Sequence, residues 1–353
     1  MSTISTLTEF LEATGSRLCY FDMGRRVNLI PRDAFIQFEL TLEPYPLPLQ
    51  QQAWLGILFL DQSTHQTEPL IWFIRFPLDE QGKLVLAARD EFLHRLIEAA
   101  EMNLKTADRK EKLQSALQDN PYVFRPKPER MANFHAKATL LLNQPASHYY
   151  EHAQEYFSGK LGWEQWSFLG YQGIADIAAR QALDENTHIL SSAIPHLPPT
   201  PLEALCHCLE NEHIAGDISQ ALISRAEKAL TTADPDPQIL SACLRGFALS
   251  PSESPKQQLL HKILSHEISR RSDILAAISG RTWEVLLDEQ IRDQYLASLA
   301  DNDRGQDFFN NILSDLLFLP ATRSTMLDSL RSQDRPKRLD AAIGEFFNQF
   351  QKH

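Results

Sequence analysis

The sequence is poor in glycine and cysteine, and each shortage argues against a class of function. It has 13 glycines in 353 residues and no G-x-x-x-x-G-K-[ST] or G-x-G-x-x-G string, which disfavours a phosphate-binding loop. It also has no G-x-S-x-G string, so the nucleophile elbow of an α/β-hydrolase is not predicted. Four cysteines without paired spacing give no disulfide framework and indicate a reducing compartment.

Basic charge and long apolar runs are also scarce. The chain carries 34 Lys and Arg against 46 Asp and Glu, a formal net charge of −12, so phosphate backbones are not expected partners. The longest apolar runs, Ala53–Leu60 and Leu70–Ile74, are far shorter than the roughly 20 residues of a membrane span. The N-terminus shows no signal-peptide pattern. We therefore predict a cytoplasmic protein that binds neither nucleic acid nor membrane.

The first 120 residues have the pattern of a mixed α/β domain. Helices are predicted at 5–14, just after Pro31 and at 90–100, with strands at 18–22, 27–30, 53–60 and 69–76. The last two strands are nearly continuous apolar runs, which is typical of strands buried on both faces. A short partner strand is predicted at 83–86. The fold class of this part is a small sheet with flanking helices (α+β).

Strand patterns end near residue 108, and three prolines between Pro121 and Pro128 indicate a boundary. Residues 129–353 then predict an antiparallel, all-α helical array with helices of 10–17 residues. Ala204-Leu205-Cys206 corresponds to Ser241-Ala242-Cys243 at an offset of 37 residues, close to the length of a helical-hairpin repeat. A HEAT-like α-solenoid is one interpretation, and an irregular helical bundle is the other.

The sharpest chemical motif is His148-Tyr149-Tyr150-Glu151-His152, an H-x-x-E-H string on a helix predicted at 147–158. Two histidines at i and i+4 share one helix face, as a zinc pair requires, and the glutamate between them could act as a general base. Glu227 lies at a suitable distance along the chain for a third ligand. Such a short string also arises without zinc chemistry, and its surroundings resemble an ordinary tyrosine-rich amphipathic helix. No catalytic or cofactor-binding residue is therefore assigned, and zinc is kept as an alternative.

Two further clusters have both a structural and a functional interpretation. Cys206 and Cys208 point about 200° apart on a helix, so core packing is favoured over metal binding. Aromatic residues are concentrated in two short stretches, which predicts either a domain-junction core, the favoured interpretation, or a protein-binding hot spot. These aromatic residues are Tyr149, Tyr150, Tyr156, Phe157, Trp163, Trp166, Phe168 and Tyr171.

Several strings taken together resemble a single protein family. They are Pro44-Tyr45-Pro46 with Gln50–Leu55, Gly170-Tyr171-Gln172-Gly173-Ile174-Ala175-Asp176, and Ala204-Leu205-Cys206 with Leu209-Glu210-Asn211. The chain is similar to an uncharacterised bacterial family with a domain of unknown function that spans nearly the full length. This resemblance implies a full-length bacterial, cytoplasmic protein, and it carries over no activity, cofactor, partner or site residue.

The leading functional hypothesis is a non-enzymatic adaptor or regulatory protein, because stacked helical hairpins present extended surfaces to protein partners. A homodimer is compatible with this hypothesis. One alternative is a zinc-dependent hydrolase that uses His148, Glu151 and His152. The other is a small-molecule sensor that binds its ligand between the N-terminal sheet and the helices.

Overall fold

Large apolar side chains at alternate positions of two strands organise the N-terminal part of the chain. The computed structural model describes residues 6–13, 15–60, 69–102, 117 and 120–350. Its four strands are β1 (Arg17–Asp22), β2 (Asn28–Ile30), β3 (Gln52–Leu60) and β4 (Leu70–Pro77). They pair antiparallel in the order β2-β1-β3-β4. The four strands predicted between residues 18 and 76, and the small sheet, are thus confirmed.

One face of the sheet holds the core of this unit. Leu55 lies opposite Ile74, and Ile57 lies opposite Trp72, so these four buried side chains project to the same side. Three helices cover that side: α1 (Leu7–Glu12), α2 (Arg32–Glu39) and α3 (Leu86–Met102). Burial of these apolar side chains is the main force that assembles the unit.

Two expectations for this unit are wrong. β4 is buried on one face only, because Phe73 is half-buried and Arg75 is exposed on the other. The predicted strand at 83–86 is absent, although those residues are described. Leu84 makes an isolated bridge to Leu78, and Leu86 already begins α3. A helix pattern with Ala88 and Phe92 facing the core prevails there over a short strand signal.

A buried carboxylate fixes the first helix of this unit. Glu39, at the end of α2, accepts hydrogen bonds from the backbone N–H groups of Leu7 and Thr8 and from the Thr8 hydroxyl. A negative charge at a helix N-terminus satisfies N–H groups that have no partner within the helix. Because Glu39 is 32 residues from Leu7, the contact ties α1 to α2.

Chain contacts divide the protein into two compact units, Met1–Lys127 with Phe318–Pro320, and Pro128–Leu317 with Ala321–His353. The second unit is helical and confirms the predicted array. Its α-helices are α4 (Pro128–Leu141), α5 (Tyr150–Phe157), α6 (Tyr171–Ala179), α7 (Asn186–Ala193), α8 (Pro199–Leu209), α9 (Gly216–Leu230), α10 (Pro237–Gly246), α11 (Glu253–Leu264), α12 (Ser272–Arg281), α13 (Glu289–Ala300), α14 (Gln306–Phe318), α15 (Pro320–Arg331) and α16 (Lys337–Phe350).

Alternate helices of this unit pack side by side in two rows. One row runs α4, α6, α8, α10, α12, and the other runs α5, α7, α9, α11, α13. Short 3-10 helices, which the sequence pattern did not predict, lie at Trp163–Phe168, Glu267–Arg270 and Trp283–Leu287. The last of these ends just before α13, because Asp288 accepts a hydrogen bond from Ile291 N–H and caps a new helix. Whether the repeat is HEAT-like stays a prediction.

A glycine sets the distance between two neighbouring helices of the first row. A Cβ atom at Gly246 of α10 would lie 2.8 Å from the Sγ atom of Cys206 on α8 and 3.1 Å from a Leu222 methyl group. Both neighbours are fully buried, so little room exists for relaxation. Gly280 of α12, by contrast, has no atom within 4 Å of its Cβ position.

We expect Gly246→Ala and Gly280→Ala to change stability in opposite directions. Overpacking at position 246 costs about 1–3 kcal/mol, which exceeds the gain in helix propensity, whereas Gly280→Ala gains up to about 1 kcal/mol. Urea unfolding of the two variants and the wild type measures both effects. Stabilisation by Gly246→Ala would contradict the close packing of α8 and α10.

Candidate functional site

The helical unit contains a buried carboxylate surrounded by arginines. Glu210 caps the C-terminal end of α8, and its side chain is only 3% exposed. Its Oε2 accepts a hydrogen bond from Arg245 Nε at 2.7 Å, and its Oε1 accepts one from Arg281 Nε at 2.9 Å. Arg130 Nη2 lies 3.8 Å from Oε1. We call these four residues the Glu210 cluster; it joins α4, α8, α10 and α12.

The helical repeat explains why these residues meet. Arg245 and Arg281 lie in the last turns of α10 and α12, one repeat length apart, and both helices stack in the same row as α8. Arginine is favourable at a helix C-terminus, where backbone carbonyls create a partial negative charge. Glu210 is at the same end of its own helix, where a negative charge is unfavourable. The neighbouring arginines offset that penalty.

The electrostatics of the cluster is dominated by positive charge. Burial raises the pKa of Glu210, but the charges of Arg281, Arg245 and Arg130 outweigh burial and lower that pKa to about 2. The pKa of nearby His207 is lowered, first by burial and then by the charge of Arg245, which keeps the imidazole neutral at pH 7.

The loop after Glu210 is held by further polar contacts. Lys137 Nζ of α4 donates to the Asn211 carbonyl at 2.7 Å and to Glu212 Oε2 at 3.0 Å. Gln181, which follows α6, donates to the His213 carbonyl at 2.7 Å. Contacts from α4 and from the segment after α6 thus hold one short loop.

A second buried carboxylate belongs to the string Gly170–Asp176. Asp176 of α6 accepts from Arg180 Nη1 at 3.2 Å and from Ser147 N–H at 3.1 Å. Gly173 of the same string would place a Cβ atom 2.5 Å from the Tyr149 carbonyl oxygen, so only glycine permits this approach of α6 to the start of α5. The string Gly170–Asp176 therefore has a structural role.

The aromatic residues separate into a buried group and an exposed group. Tyr156 and Phe157 of α5 are buried. The 3-10 helix Trp163–Phe168, which we call the aromatic segment, has no buried residue; Trp166 is 37% exposed and Phe168 is 75% exposed. The domain-junction interpretation is therefore wrong for the aromatic segment.

The zinc candidates are not arranged as predicted. α5 begins at Tyr150, so His148 precedes the helix and the pair is not at i and i+4 of one helix face. His148 and Glu151 are exposed, His152 is half-buried, and the His148 ring lies 3.8 Å from that of Tyr149. Glu227 pairs with Lys262 at 2.6 Å. Within the described ranges, no group of three or more His, Cys, Asp or Glu is placed to hold a metal ion.

The cysteines behave as small core residues. Cys19, Cys206, Cys208 and Cys243 are free thiols and all are buried. Burial raises the pKa of Cys243 to about 12, and it also raises the pKa of Cys206. Both remain protonated at neutral pH and are poor nucleophiles. The packing interpretation of Cys206 and Cys208 agrees with this environment.

Sequence reasoning missed the Glu210 cluster. Its arginines come from three separate helices, and none lies in a recognised motif. The available signal was the repeat itself: Arg245 and Arg281 end successive helices of one row, 36 residues apart. Arg130 carries no comparable signal, because it lies near the start of α4, outside the predicted repeat.

We expect Glu210→Gln to lower the free energy of unfolding by roughly 3 kcal/mol at pH 7, since each pKa unit corresponds to about 1.4 kcal/mol. The pKa of Glu210 is lowered on folding, so its contribution is present above its ordinary value of 4.5 and is lost as the pH falls to about 2. Urea unfolding between pH 7 and pH 2 should show that the difference in free energy of unfolding between the wild type and Glu210→Gln becomes smaller as the pH falls. Glu203→Gln, on a half-exposed carboxylate of α8, is the control and should change stability by less than about 0.5 kcal/mol. A difference in free energy of unfolding that does not change with pH would contradict the assigned charge state of Glu210.

We expect His148→Ala and His152→Ala each to shift the Tm by less than about 2 °C, because neither side chain is buried. Thermal unfolding with added zinc and with chelator measures this. A ligand that binds only the folded state raises the Tm. A zinc-dependent rise of several degrees that both substitutions remove would revive the hydrolase hypothesis.

Comparison with known proteins agrees with the resemblance of the sequence strings. Among the described residues, none of the helices has both the length and the apolar content needed to cross a bilayer. No curated protein and no solved structure matches the chain. One family model, described as "Protein of unknown function (DUF3549)", matches residues 2–347. This match covers nearly all of the sequence, and the chain therefore belongs to the DUF3549 family.

Proposed function

We propose that this chain is a non-enzymatic adaptor or regulatory protein that binds a protein partner through the aromatic segment. The observation that carries the proposal is the 75% exposure of Phe168, which is two residues along the chain from the exposed Trp166. Exposed large aromatic side chains are typical of binding hot spots, where they bury much area at low entropic cost.

The aromatic segment is anchored at its base, so its exposed side chains are preorganised. Tyr156 of α5 donates a hydrogen bond from its hydroxyl to the Trp163 carbonyl at 2.9 Å. The Trp163 ring stacks on His196, with centroids 5.8 Å apart. Gly162, with φ of +81°, turns the chain into the segment. Such anchoring lowers the entropy that a partner must remove on binding.

The charges near the aromatic segment indicate the chemistry of the partner. Glu164 lies within the segment, Glu151 and Glu155 lie on the preceding helix, and Lys160 lies between them; all four are exposed, so negative charge is in excess. A partner surface with an apolar centre and a rim of lysine and arginine complements this arrangement. The net charge of −12 also attracts a basic partner over longer distances.

The proposal also includes a bacterial cytoplasmic location and a HEAT-like array. Four free thiols support a reducing compartment, since exported proteins commonly form disulfides. Stacking of alternate helices in two rows supports the HEAT-like repeat, in which each helical pair contacts mainly its neighbours.

Photo-cross-linking with a benzophenone amino acid at position 168 tests the proposed surface. Position 287 is the matched control, because Leu287 is also in a 3-10 helix and is 48% exposed. We expect position 168, but not position 287, to cross-link a partner segment that contains apolar and basic residues.

Affinities for the identified partner then test the energetics. Trp166→Ala and Phe168→Ala should each weaken binding by at least about 10-fold, Leu287→Ala should leave it unchanged, and added salt should weaken it in all proteins. Equal cross-linking at both positions, or an acidic partner segment, would overturn the proposal. Cross-linking only to a second copy of the chain would replace it with a homodimer.

A further inference from the structure

We infer that a cavity in the helical unit binds a small zwitterion, an amino acid by chemical class, through the carboxylate group of the ligand. The cavity has a volume of about 260 Å³ and lies where the C-terminal ends of α11 and α13 meet the 3-10 helix Glu267–Arg270. It shares no residue with the aromatic segment or the Glu210 cluster, and it does not depend on the proposed function.

The volume of the cavity limits the size of its ligand. At about 30 Å³ per molecule of liquid water, it corresponds to roughly nine water molecules. A small amino acid is of this size, whereas a nucleotide is far larger. Leu264 and Ala297 contribute apolar surface to the wall, against which the aliphatic part of such a ligand can lie.

Two side chains that line the cavity use their oxygen atoms as acceptors within the protein. Ser269 Oγ accepts a hydrogen bond from the Ser298 hydroxyl at 3.0 Å. Gln294 Oε1 accepts one from His261 Nδ1 at 2.9 Å, since an amide oxygen cannot donate. The hydroxyl proton of Ser269 and the amide N–H groups of Gln294 have no acceptor among the described residues. Because Ser269 is only 3% exposed, its donor needs an acceptor inside the cavity.

Two further donors line the same cavity. His266 Nδ1 accepts a hydrogen bond from Ile268 N–H at 3.1 Å, so the neutral ring carries its proton on Nε2, which donates. Arg270 Nε is 3.7 Å from Asp301 Oδ2, which is too far for a hydrogen bond. Guanidinium, imidazole, amide and hydroxyl donors together match the acceptor oxygens of a carboxylate.

The acidic groups at the cavity favour a zwitterion over a simple anion. Glu267 and Asp301 also line it, and the carbonyl groups at the ends of α11 and α13 add negative partial charge. Asp301 has a basic partner in Arg338, whose Nε is 2.6 Å from Oδ1, so charges of both signs are present. The ammonium group of an amino acid gains from Glu267 and the helix ends, whereas a simple anion gains nothing from them.

Calorimetric titration of the full chain with each of the common amino acids, at millimolar concentration, tests this inference. We expect at least one of them to bind saturably, with one molecule per chain, and to raise the Tm. The amide derivative of that amino acid should bind at least about 10-fold more weakly, because hydrogen bonds to a charged acceptor are the stronger ones. Acetate and glucose complete the panel, as a carboxylate without an ammonium group and a neutral ligand with hydroxyl groups.

Two adjacent arginines provide a matched test of the position of the site. Arg270→Gln should weaken binding of that amino acid by at least about 10-fold. Arg271→Gln is the control, because the Arg271 side chain is 50% exposed against 54% for Arg270, lies 3.6 Å from an aspartate, and does not line the cavity. Ser269→Ala removes only a hydroxyl group and should weaken binding by about 3- to 10-fold. Circular dichroism verifies that each variant is folded, and Arg270→Gln decides alone if Ser269→Ala is not.

Absence of binding by every amino acid, or equal binding by the wild type and Arg270→Gln, overturns the inference. Equal binding of the amino acid and its amide would show that the carboxylate is not recognised, and tighter binding of acetate or glucose would show a different ligand class; each overturns it. Equal weakening by Arg271→Gln would show a general charge effect and would also overturn it. Trp166→Ala should bind the amino acid normally, so failure of this inference and failure of the adaptor proposal are distinguishable.

Discussion

The ion pairs at Glu210 are the constraint on which the helical unit depends. A carboxylate placed at the C-terminal end of a helix and almost fully removed from water is strongly unfavourable without compensation. Arg245 and Arg281 provide that compensation only if α10 and α12 end beside α8. The charge requirement therefore fixes how successive helices of one row align, and it fixes the loop that leads into the next helix.

Close packing reinforces this alignment a short distance away. Gly246 immediately follows Arg245, and its missing side chain allows α10 to lie against Cys206 of α8. The buried interior of the row is largely apolar, while Glu210, Arg245 and Arg281 lie at the C-terminal ends of their helices. Apolar burial stabilises the row without specifying the offset between helices, whereas the ion pairs and the glycine contact specify it.

The aromatic segment and the Glu210 cluster differ in chemistry. The aromatic segment is apolar with an acidic surrounding, and the Glu210 cluster is basic and largely recessed. The first suits a protein surface, because exposed aromatics gain most from extensive contact.

The sequence by itself determined the class of the fold and the position of most elements. Alternating and 3.6-residue apolar periods depend only on local geometry, which is why β1, β3, α2 and the helices from α4 to α16 were predictable. The resemblance to the family was also visible in the sequence, because comparing short strings requires no knowledge of tertiary contacts. Local patterns failed where neighbours decide the outcome. Leu84 forms only an isolated bridge and Leu86 begins a helix, although both were predicted in a strand. His148 lies outside the helix that its motif requires.

Only the tertiary structure decided which polar residues meet. Arg130 and Glu210 are 80 residues apart, and Glu210 and Arg281 are 71 residues apart, so no local period reveals their contact. It likewise decided that Tyr156 is buried while Phe168, twelve residues later, is exposed. Burial and charge pairing are properties of the packed chain, because each depends on the side chains that distant segments bring into contact.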